Sequence, residues 1–343
     1  MFFSELTQDR FKKFKKVKRA YYSLWILGVA YLISLFAPFV ANDKPYVLSY
    51  EGHLYFPLLK KYSAKTFGGE YLTEANYLKL YSDEEFKTKG GWMVRPPIPH
   101  DPLHAYLDEE GSPPHAPSLK HWLGTDSVAR DLLSRLIYGF RLCMSFSLLL
   151  TLISSVFGII IGGLQGYLGG KFDLTLRHGI EVWGSLPFLY VVILLSDLYG
   201  RGFFLLIFVM SIFSWIGLSY YMRGEFLKLK NLNYVRVAKA LGLGPRKVFM
   251  TMLPNALTPV VTLVPFGVIG GISSLTALDF LGFGLHPPTP SWGELLDQGL
   301  KNLYAPWITI FTISALFITL LLTTFIGEGV REAFDPKSKS RYE

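Results

Sequence analysis

Long apolar blocks constrain this sequence more than any other feature. Six such blocks can be placed, each of roughly 18–25 residues, the length a helix needs to cross about 30 Å of hydrocarbon. Only 17% of the residues are charged, whereas a soluble domain normally has about a quarter. The sequence therefore predicts an integral membrane protein that crosses the bilayer several times.

We predict an all-α fold, a bundle of six transmembrane helices with an extracytoplasmic insert between helices 1 and 2. The predicted spans are 24–41, 142–164, 179–198, 203–221, 257–278 and 307–326. The fifth contains Pro259 and Pro265, which membrane helices tolerate when their neighbours satisfy the freed backbone groups. The first block is too long for a signal-peptide core and is followed by no small-x-small cleavage site, so we expect a retained anchor.

Clusters of basic residues at the ends of the apolar blocks predict the orientation. Residues 10–19 carry seven Lys or Arg, the segment after the fourth span carries seven more, and the C-terminal tail carries four. With six spans these segments share one side, which the positive-inside rule makes cytoplasmic. Both termini are therefore expected in the cytoplasm. The net charge of +8 is explained by this arrangement and by lipid headgroups, so we expect no nucleic-acid partner.

This layout divides the chain into five parts. They are a basic cytoplasmic N-terminus (1–23), transmembrane helix 1 (24–41), an extracytoplasmic insert with the segment before the second span (42–141), a five-helix core (142–326) with a cytoplasmic loop (222–255), and a cytoplasmic tail (327–343). Within the insert, 46–50 and 54–58 are candidate strands.

Motifs for catalysis, metal binding and nucleotide binding are missing from the sequence. It contains no His-Glu-x-x-His, no Gly-x-Ser-x-Gly, and no histidine or cysteine cluster with metal-ligand spacing. The tract 162–171 superficially resembles a phosphate loop, but Gln165 replaces the first glycine and Phe172 the required Ser or Thr. We therefore expect a non-enzymatic chain that binds no metal and no cofactor.

The cytoplasmic loop is the most informative segment. Residues 234–241 predict a short amphipathic helix, the glycines and proline of 242–245 a break, and 246–253 a second helical stretch that enters the fifth span. The small residues Ala238, Ala240 and Gly242 would let another protein pack closely. A helix on the membrane surface is equally compatible with these residues.

This loop resembles the coupling-loop motif of importer permeases in the ABC (ATP-binding cassette) superfamily. Arg236-Val237-Ala238 stands where that motif has Glu-Ala-Ala, Gly242 is its glycine, and Leu253-Pro254 its ending. The acidic residue and first alanine are replaced, and the Gly-to-Pro spacing is one residue shorter. The resemblance implies contact with an ATPase through Tyr234, Arg236, Ala238, Ala240, Gly242, Leu253, Pro254 and Asn255.

Further segments resemble dipeptide and oligopeptide permeases: 121–141 their signature before a span, 280–294 their last external loop, and 327–336 their C-terminal end. Residues 41–45 and 55–60 resemble the Yej-type branch, permeases of peptide and microcin C importers. The resemblance implies an external-face signature of Gly124, Thr125, Asp126, Arg130, Asp131, Arg135 and Arg141. It also implies an external loop near the path, with Asp279, Gly282, Gly284, Pro288, Trp292 and Glu294.

The resemblance further implies a subunit of the bacterial inner (plasma) membrane. Its partners would be a second homologous permease, a cytoplasmic ABC ATPase that binds the ATP and Mg²⁺, an extracytoplasmic peptide-binding protein, the peptide and membrane lipid. The charged signature residues are expected to form a structural ion-pair network in preference to a peptide site. The ionisable residues Glu181, Asp197 and Asp279 are functional candidates or interface residues that reach water. The alternative function is a secondary transporter or channel, and a secondary transporter would typically show inverted repeats.

Overall fold

The computed structural model describes residues 5–107 and 111–334, with side chains from residue 8. Residues 1–4 of the predicted cytoplasmic N-terminus and residues 335–343 of the predicted cytoplasmic tail lie outside the described residues. The helices are α1 (Glu5–Lys16), α2 (Lys18–Leu35), α3 (Ala37–Val40), α4 (Tyr77–Ser82), α5 (Glu84–Thr88), α6 (Leu132–Leu168), α7 (Gly170–Gly184), α8 (Phe188–Tyr199), α9 (Phe203–Leu229), α10 (Asn233–Ala240), α11 (Pro245–Phe280), α12 (Trp292–Lys301) and α13 (Pro306–Phe334). The strands are β1 (Val47–Tyr50), β2 (His53–Tyr55) and β3 (Trp92–Val94), and Ala64–Phe67 is a 3₁₀ turn.

Four helices of the described chain, α6, α9, α11 and α13, are long and apolar enough to cross a membrane. They contain the predicted spans 142–164, 203–221, 257–278 and 307–326. The pair α7 and α8 makes a fifth if it is counted as one span. The first block corresponds to α2 and α3, which do not meet the same length and hydropathy criteria, so a count of six stays a prediction.

The predicted third span, 179–198, is not one straight helix. Helix α7 ends at Gly184 and α8 begins at Phe188, with a 67° bend between their axes. Pro187 adopts an extended conformation, with ψ of 101°. A proline disfavours helical geometry at the residue before it, so the helix ends just before Leu186-Pro187 although the apolar composition continues.

The chain forms two compact units. The helical unit comprises described residues 5–28, 143–286 and 316–334, and the sheet unit comprises 29–107, 111–142 and 287–315. In the helical unit, glycines allow helices to approach closely. A Cβ on Gly162 would lie 2.1 Å from the Ser219 carbonyl oxygen, and one on Gly166 would lie 2.5 Å from that of Arg223. Small residues are what permit such backbone contact between membrane helices.

The sheet unit departs from the all-α prediction. In its described part, β1 lies between β2 and β3, and both pairs are antiparallel. Leu48 faces Tyr55 on one side and Met93 on the other. The candidate strands at 46–50 and 54–58 correspond to β1 and β2, whereas β3 was not predicted. Aromatic residues form the core beneath the sheet, with Tyr50 stacked on Phe86 at a centroid distance of 5.7 Å.

Candidate functional site

The segment predicted to bind an ATPase forms a corner between α10 and the start of α11, here called the coupling corner (residues 233–255). Helix α10 is amphipathic, and its inward side is packed against α9 and α11. Val235 is fully buried and Ala238 is 8% exposed. The core around Val235 contains Met222, Phe226, Leu229, Val248 and Met252. Ala238 therefore faces the interior of this chain and exposes little surface for the ATPase contact that the resemblance implies, which stays a prediction.

Apolar residues that the prediction did not select face outward at the coupling corner. Val237 is 56% exposed, Leu241 75% and Met250 51%. The predicted contact residues Arg236, Ala240 and Gly242 are also exposed. The outward face of α10 thus combines apolar side chains with cations, among them the exposed Lys239. Such a surface suits a partner that offers both an apolar groove and acidic side chains.

Gly242 shapes the coupling corner through its backbone. Its φ of +79° lies in the left-handed region, which glycine enters without strain. Its N–H donates to the Lys239 carbonyl at 3.0 Å, and the Leu243 N–H donates to that of Ala238 at 3.2 Å. These two bonds form a Schellman motif, which ends a helix at a glycine. A Cβ at Gly242 would meet nothing within 4 Å, so the glycine sets the turn and leaves its outer side open.

The other predicted residues of the corner hold α10 and α11 together. Asn255 Nδ2 donates to the Tyr234 hydroxyl at 3.2 Å, while Leu253 packs against the core below. Pro254 lies inside α11, which runs without a break through the predicted stretch 246–253 and the fifth span. The fixed corner can therefore transmit a force on α10 directly to α11.

In the sheet unit, four charged side chains form a buried ion-pair network. Arg130 Nη2 contacts Asp126 Oδ2 at 2.8 Å and Glu294 Oε1 at 3.0 Å. Arg135 Nη2 donates to Glu294 Oε2 at 2.5 Å, and its Nε lies 3.3 Å from Asp126 Oδ2. Asp126 and Arg135 are fully buried, and the Glu294 side chain is 19% exposed. Each carboxylate thus faces two guanidinium groups, an arrangement that neutralises buried charge.

The remaining signature residues surround this network, with one exception. Gly124 has a φ of +82°, and a Cβ there would lie 2.7 Å from the His115 carbonyl oxygen. The Thr125 carbonyl accepts from Trp307 Nε1 at 3.2 Å. Arg141, by contrast, lies over the Tyr138 ring at 4.8 Å and takes no part in the network.

Two residues of the predicted external loop also contact the segment around the network. Trp292 is 1% exposed and its Nε1 donates to the Leu136 carbonyl at 3.1 Å. The Pro288 carbonyl accepts from Arg135 Nη1 at 3.4 Å. The geometry supports a structural role for these residues, because their polar atoms bond within the protein.

Asp131 orients a buried histidine that sequence patterns did not identify. His121 Nδ1 and Asp131 Oδ1 are 2.8 Å apart, while Asp131 Oδ2 accepts from the N–H and hydroxyl of Ser134 at 2.8 Å each. The His100 ring lies against that of His121, tilted by 32°, with the ring centroids 4.2 Å apart. Potential ligand atoms of His100, His121 and Asp131 lie within 4.8 Å of one another, but both Asp131 oxygens already accept hydrogen bonds. We therefore interpret the cluster as part of the polar core.

The pKa values of this cluster follow from burial and hydrogen bonding. Burial lowers the pKa of His100 from its usual 6.5, against a smaller opposing effect of the Asp131 charge. Burial alone would raise the pKa of Asp131, but hydrogen bonds from His121 and Ser134 bring it below the usual value. At neutral pH this gives a neutral His100 beside an ionised Asp131.

At the end of α11, Asp279 closes a loop. It is 7% exposed, and its Oδ1 accepts from the Leu285 N–H at 2.7 Å. A Cβ on Gly284 would overlap that oxygen, at 1.7 Å. Gly282 has a φ of +77°, and its carbonyl accepts from Arg201. These contacts give Asp279 and the two glycines a role in holding the loop.

The other two ionisable candidates lie at the protein surface. Glu181 pairs with Arg177 at 2.8 Å and is exposed, and Asp197 is also exposed. A half-buried pair was not anticipated: Arg223 donates to both oxygens of Asp173 at 2.6 Å, joining α9 to α7. Because its members lie 50 residues apart, no local sequence pattern identifies it.

Helices α6, α9 and α11 also enclose a groove of about 520 Å³. Its polar lining consists of hydroxyl groups, with apolar residues and glycines between them. The hydroxyl-bearing residues are Thr151, Ser154, Ser155, Ser214, Tyr221 and Ser274. Hydroxyls both donate and accept hydrogen bonds, so this surface is suited to peptide groups of varied sequence.

Comparison with known proteins bears on the whole chain. Residues 134–340 match the family described as the binding-protein-dependent transport system inner membrane component, and 5–57 match the N-terminal TM domain of oligopeptide transport permease C. The inner membrane ABC transporter permease protein YejE of Escherichia coli is 43% identical over 97% of this chain and 98% of its own length. The peptidoglycan transport system permease protein YejE of Agrobacterium fabrum is 39% identical over 99% and 95%. The oligopeptide transport system permease protein OppC of Haemophilus influenzae is 37% identical over 65% and 73%.

Proposed function

Because the chain belongs to the family of binding-protein-dependent transport system inner membrane components, we propose that it is the transmembrane permease subunit of an ATP-driven peptide importer. The substrate class is oligopeptides, including peptide antibiotics of the microcin C type. The observation that carries the mechanism is the coupling corner, where Val237 of α10 and Leu241 at its C-terminal end are exposed and α10 is hydrogen-bonded to α11.

In this mechanism the chain binds no nucleotide, and a separate cytoplasmic ABC ATPase binds ATP and Mg²⁺. Closure of the ATPase subunits pushes on α10, and the Schellman turn and the Asn255–Tyr234 bond pass the movement to α11. The permease contributes two arrangements whose populations the ATPase shifts. Both termini and the coupling corner lie on the cytoplasmic side, as the basic segments indicate.

The translocation path forms between this chain and a second, homologous permease. The hydroxyl-lined groove of α6, α9 and α11 is the surface of this chain best suited to contact a peptide backbone. An extracytoplasmic binding protein delivers the peptide from outside the membrane. The buried ion-pair network makes the interior of the sheet unit rigid.

Co-purification tests the ATPase contact directly. A tagged Leu241→Glu variant places a charge at a position that is 75% exposed, so folding should be preserved while the apolar contact is lost. The matched control is Leu72→Glu, which changes an 82% exposed leucine of the sheet unit. We expect wild type and control to recover a phosphate-loop ATPase and a second permease, and Leu241→Glu to lose the ATPase. Equal ATPase recovery by both variants would contradict the coupling assignment.

Energy dependence separates the proposal from its alternative. Peptide uptake by cells expressing the transporter should stop when ATP is depleted while the ion gradients are kept. Uptake that persists without ATP, together with purification of this chain alone, would favour a secondary transporter.

A further inference from the structure

A largely apolar groove with Arg10 in its lining lies beside the N-terminal helix of the helical unit. Its volume is about 440 Å³, and α1, α2, α11 and α13 contribute its walls. Apart from Arg10 and Thr258, the lining is apolar. Side chains such as Phe11, Leu24 and Val261 are 41–54% exposed. We propose that this groove is a binding site for an anionic phospholipid, with one acyl chain in the groove and the headgroup phosphate at α1.

The charge pattern of α1 points to a negatively charged headgroup. Residues 8–19 contain seven Lys or Arg and one acidic residue, Asp9. Along α1 the inward positions are Arg10, Lys13 and Phe14, whereas Lys12, Lys15 and Lys16 are exposed. Basic residues thus occur on both the inward and the exposed side of α1, and clusters of this kind at the membrane interface attract lipid phosphates.

Two of these cations lie next to the apolar lining. The Arg10 guanidinium lies 4.4 Å from the centroid of the Phe334 ring, and the Lys15 ammonium lies 4.7 Å from that of Phe11. Both aromatic rings line the groove. A lipid whose chain occupied the groove would therefore place its headgroup beside α1, next to the two rings that these cations contact.

Close packing holds the walls of the groove in place. Phe14 and Ala20 are buried together with Ala333 of α13. A Cβ on Gly329 would lie 2.2 Å from the Ala20 Cβ, so the backbones of α2 and α13 approach closely there. Arg19 pairs with Glu328 at 2.9 Å across the same junction. The groove is thus a built feature of the packed helices.

The wall contributed by α11 connects this site to transport. Pro254, Leu257 and Val261 line the groove; Pro254 belongs to the coupling corner, and the other two follow it on the same helix. A bound lipid would hold this part of α11 against α1 and α13. This inference does not rest on the identity of the transported substrate.

Native mass spectrometry of the full-length purified chain tests the site without any partner subunit. The probes are phosphatidylglycerol, which is anionic, and phosphatidylcholine with the same acyl chains. Each Lys or Arg close to an anionic lipid raises its affinity about fivefold, so two cations predict about 25-fold tighter binding of phosphatidylglycerol. Equal affinities for the two lipids would overturn the proposal, whatever any variant does.

Variants then locate the site. Arg10→Ala combined with Lys15→Ala should remove most of the preference for phosphatidylglycerol, whereas Lys60→Ala with Lys65→Ala removes the same charge from the sheet unit and should leave it. Val261→Trp fills the groove and should weaken both lipids at this site. Val156→Trp, at another exposed position of the helical unit, is its control. Loss of binding in the control variants to the same degree would place the lipid elsewhere and contradict the assignment.

Discussion

Neutralising Glu294 should destabilise the sheet unit strongly, because two arginines depend on this one carboxylate. In Glu294→Gln the shape is kept, but the fully buried Arg135 and the 5% exposed Arg130 then share only Asp126. Removing one partner of a buried ion pair costs about 3–5 kcal/mol. Since Glu294 is 19% exposed and Asp126 remains, we expect the lower end, about 3 kcal/mol.

That free energy corresponds to a fall in the midpoint of thermal unfolding of roughly 6–12 °C. Tryptophan fluorescence in mild detergent is a direct readout, since the buried Trp292 lies two residues from the substitution. The matched control is Asp297→Asn on the same helix. Its partner Lys301 lies 2.6 Å away, but the Asp297 side chain is 34% exposed and that of Lys301 is 70% exposed. Breaking this surface pair should therefore lower the free energy of unfolding by only about 0.5 kcal/mol.

Salt provides a second readout. Added salt screens exposed charges within about a Debye length and affects buried pairs far less. The difference between wild type and Glu294→Gln should therefore persist at high salt, while any effect of Asp297→Asn disappears. If Glu294→Gln unfolds at the same temperature as Asp297→Asn, the charge network contributes no more than a surface pair and the reasoning fails.

Three further predictions address other contacts. Gly162→Ala places a Cβ 2.1 Å from the Ser219 carbonyl oxygen and should lower the free energy of unfolding by about 2–3 kcal/mol, measured by thermal unfolding. In the control Gly179→Ala the new Cβ meets no atom within 4 Å, so that variant should be neutral or slightly stabilising. Because the pKa of His100 is lowered in the folded protein, unfolding takes up protons, and stability should fall as the pH drops through about 6.5. The variant His100→Gln should show a weaker pH dependence of stability between pH 7 and 5. Trp292→Phe removes a buried hydrogen-bond donor and should lower the free energy of unfolding by about 2 kcal/mol. An unchanged midpoint of thermal unfolding would contradict this prediction.

Signals that act within a few residues allowed the coupling corner to be predicted from the sequence. Gly242 and Pro245 each restrict the backbone locally, and the structure ends α10 at Ala240 and begins α11 at Pro245. The direction of α10 was not predictable in the same way. Apolar residues occur on both sides of this short helix, with Val235 and Ala238 facing inward and Val237 outward. The small size of Ala238 therefore suggested a surface contact although the structure places it in the interior.

Longer-range features escaped prediction for related reasons. A hydropathy profile averages composition over a window of residues, so it did not reveal the break in the helix before Pro187. The three residues of β3 are recognisable as a strand only through their pairing with β1. The signature residues Arg130 and Arg135 were identified, but their shared partner Glu294 is about 160 residues away. Such a contact is fixed by the tertiary fold and leaves no periodic pattern in the sequence.

The continuity of α11 has a mechanical consequence. Its 36 residues make a rod about 54 Å long, which reaches from the coupling corner to the loop held by Asp279. A load applied at one end arrives at the other through a single element, with no intervening loop to absorb it. Pro254, Pro259 and Pro265 each remove one backbone hydrogen bond, so the rod resists compression along its axis but yields sideways at three defined points. The same helix can thus transmit force along its axis and, through its three prolines, determine where the helix bundle bends.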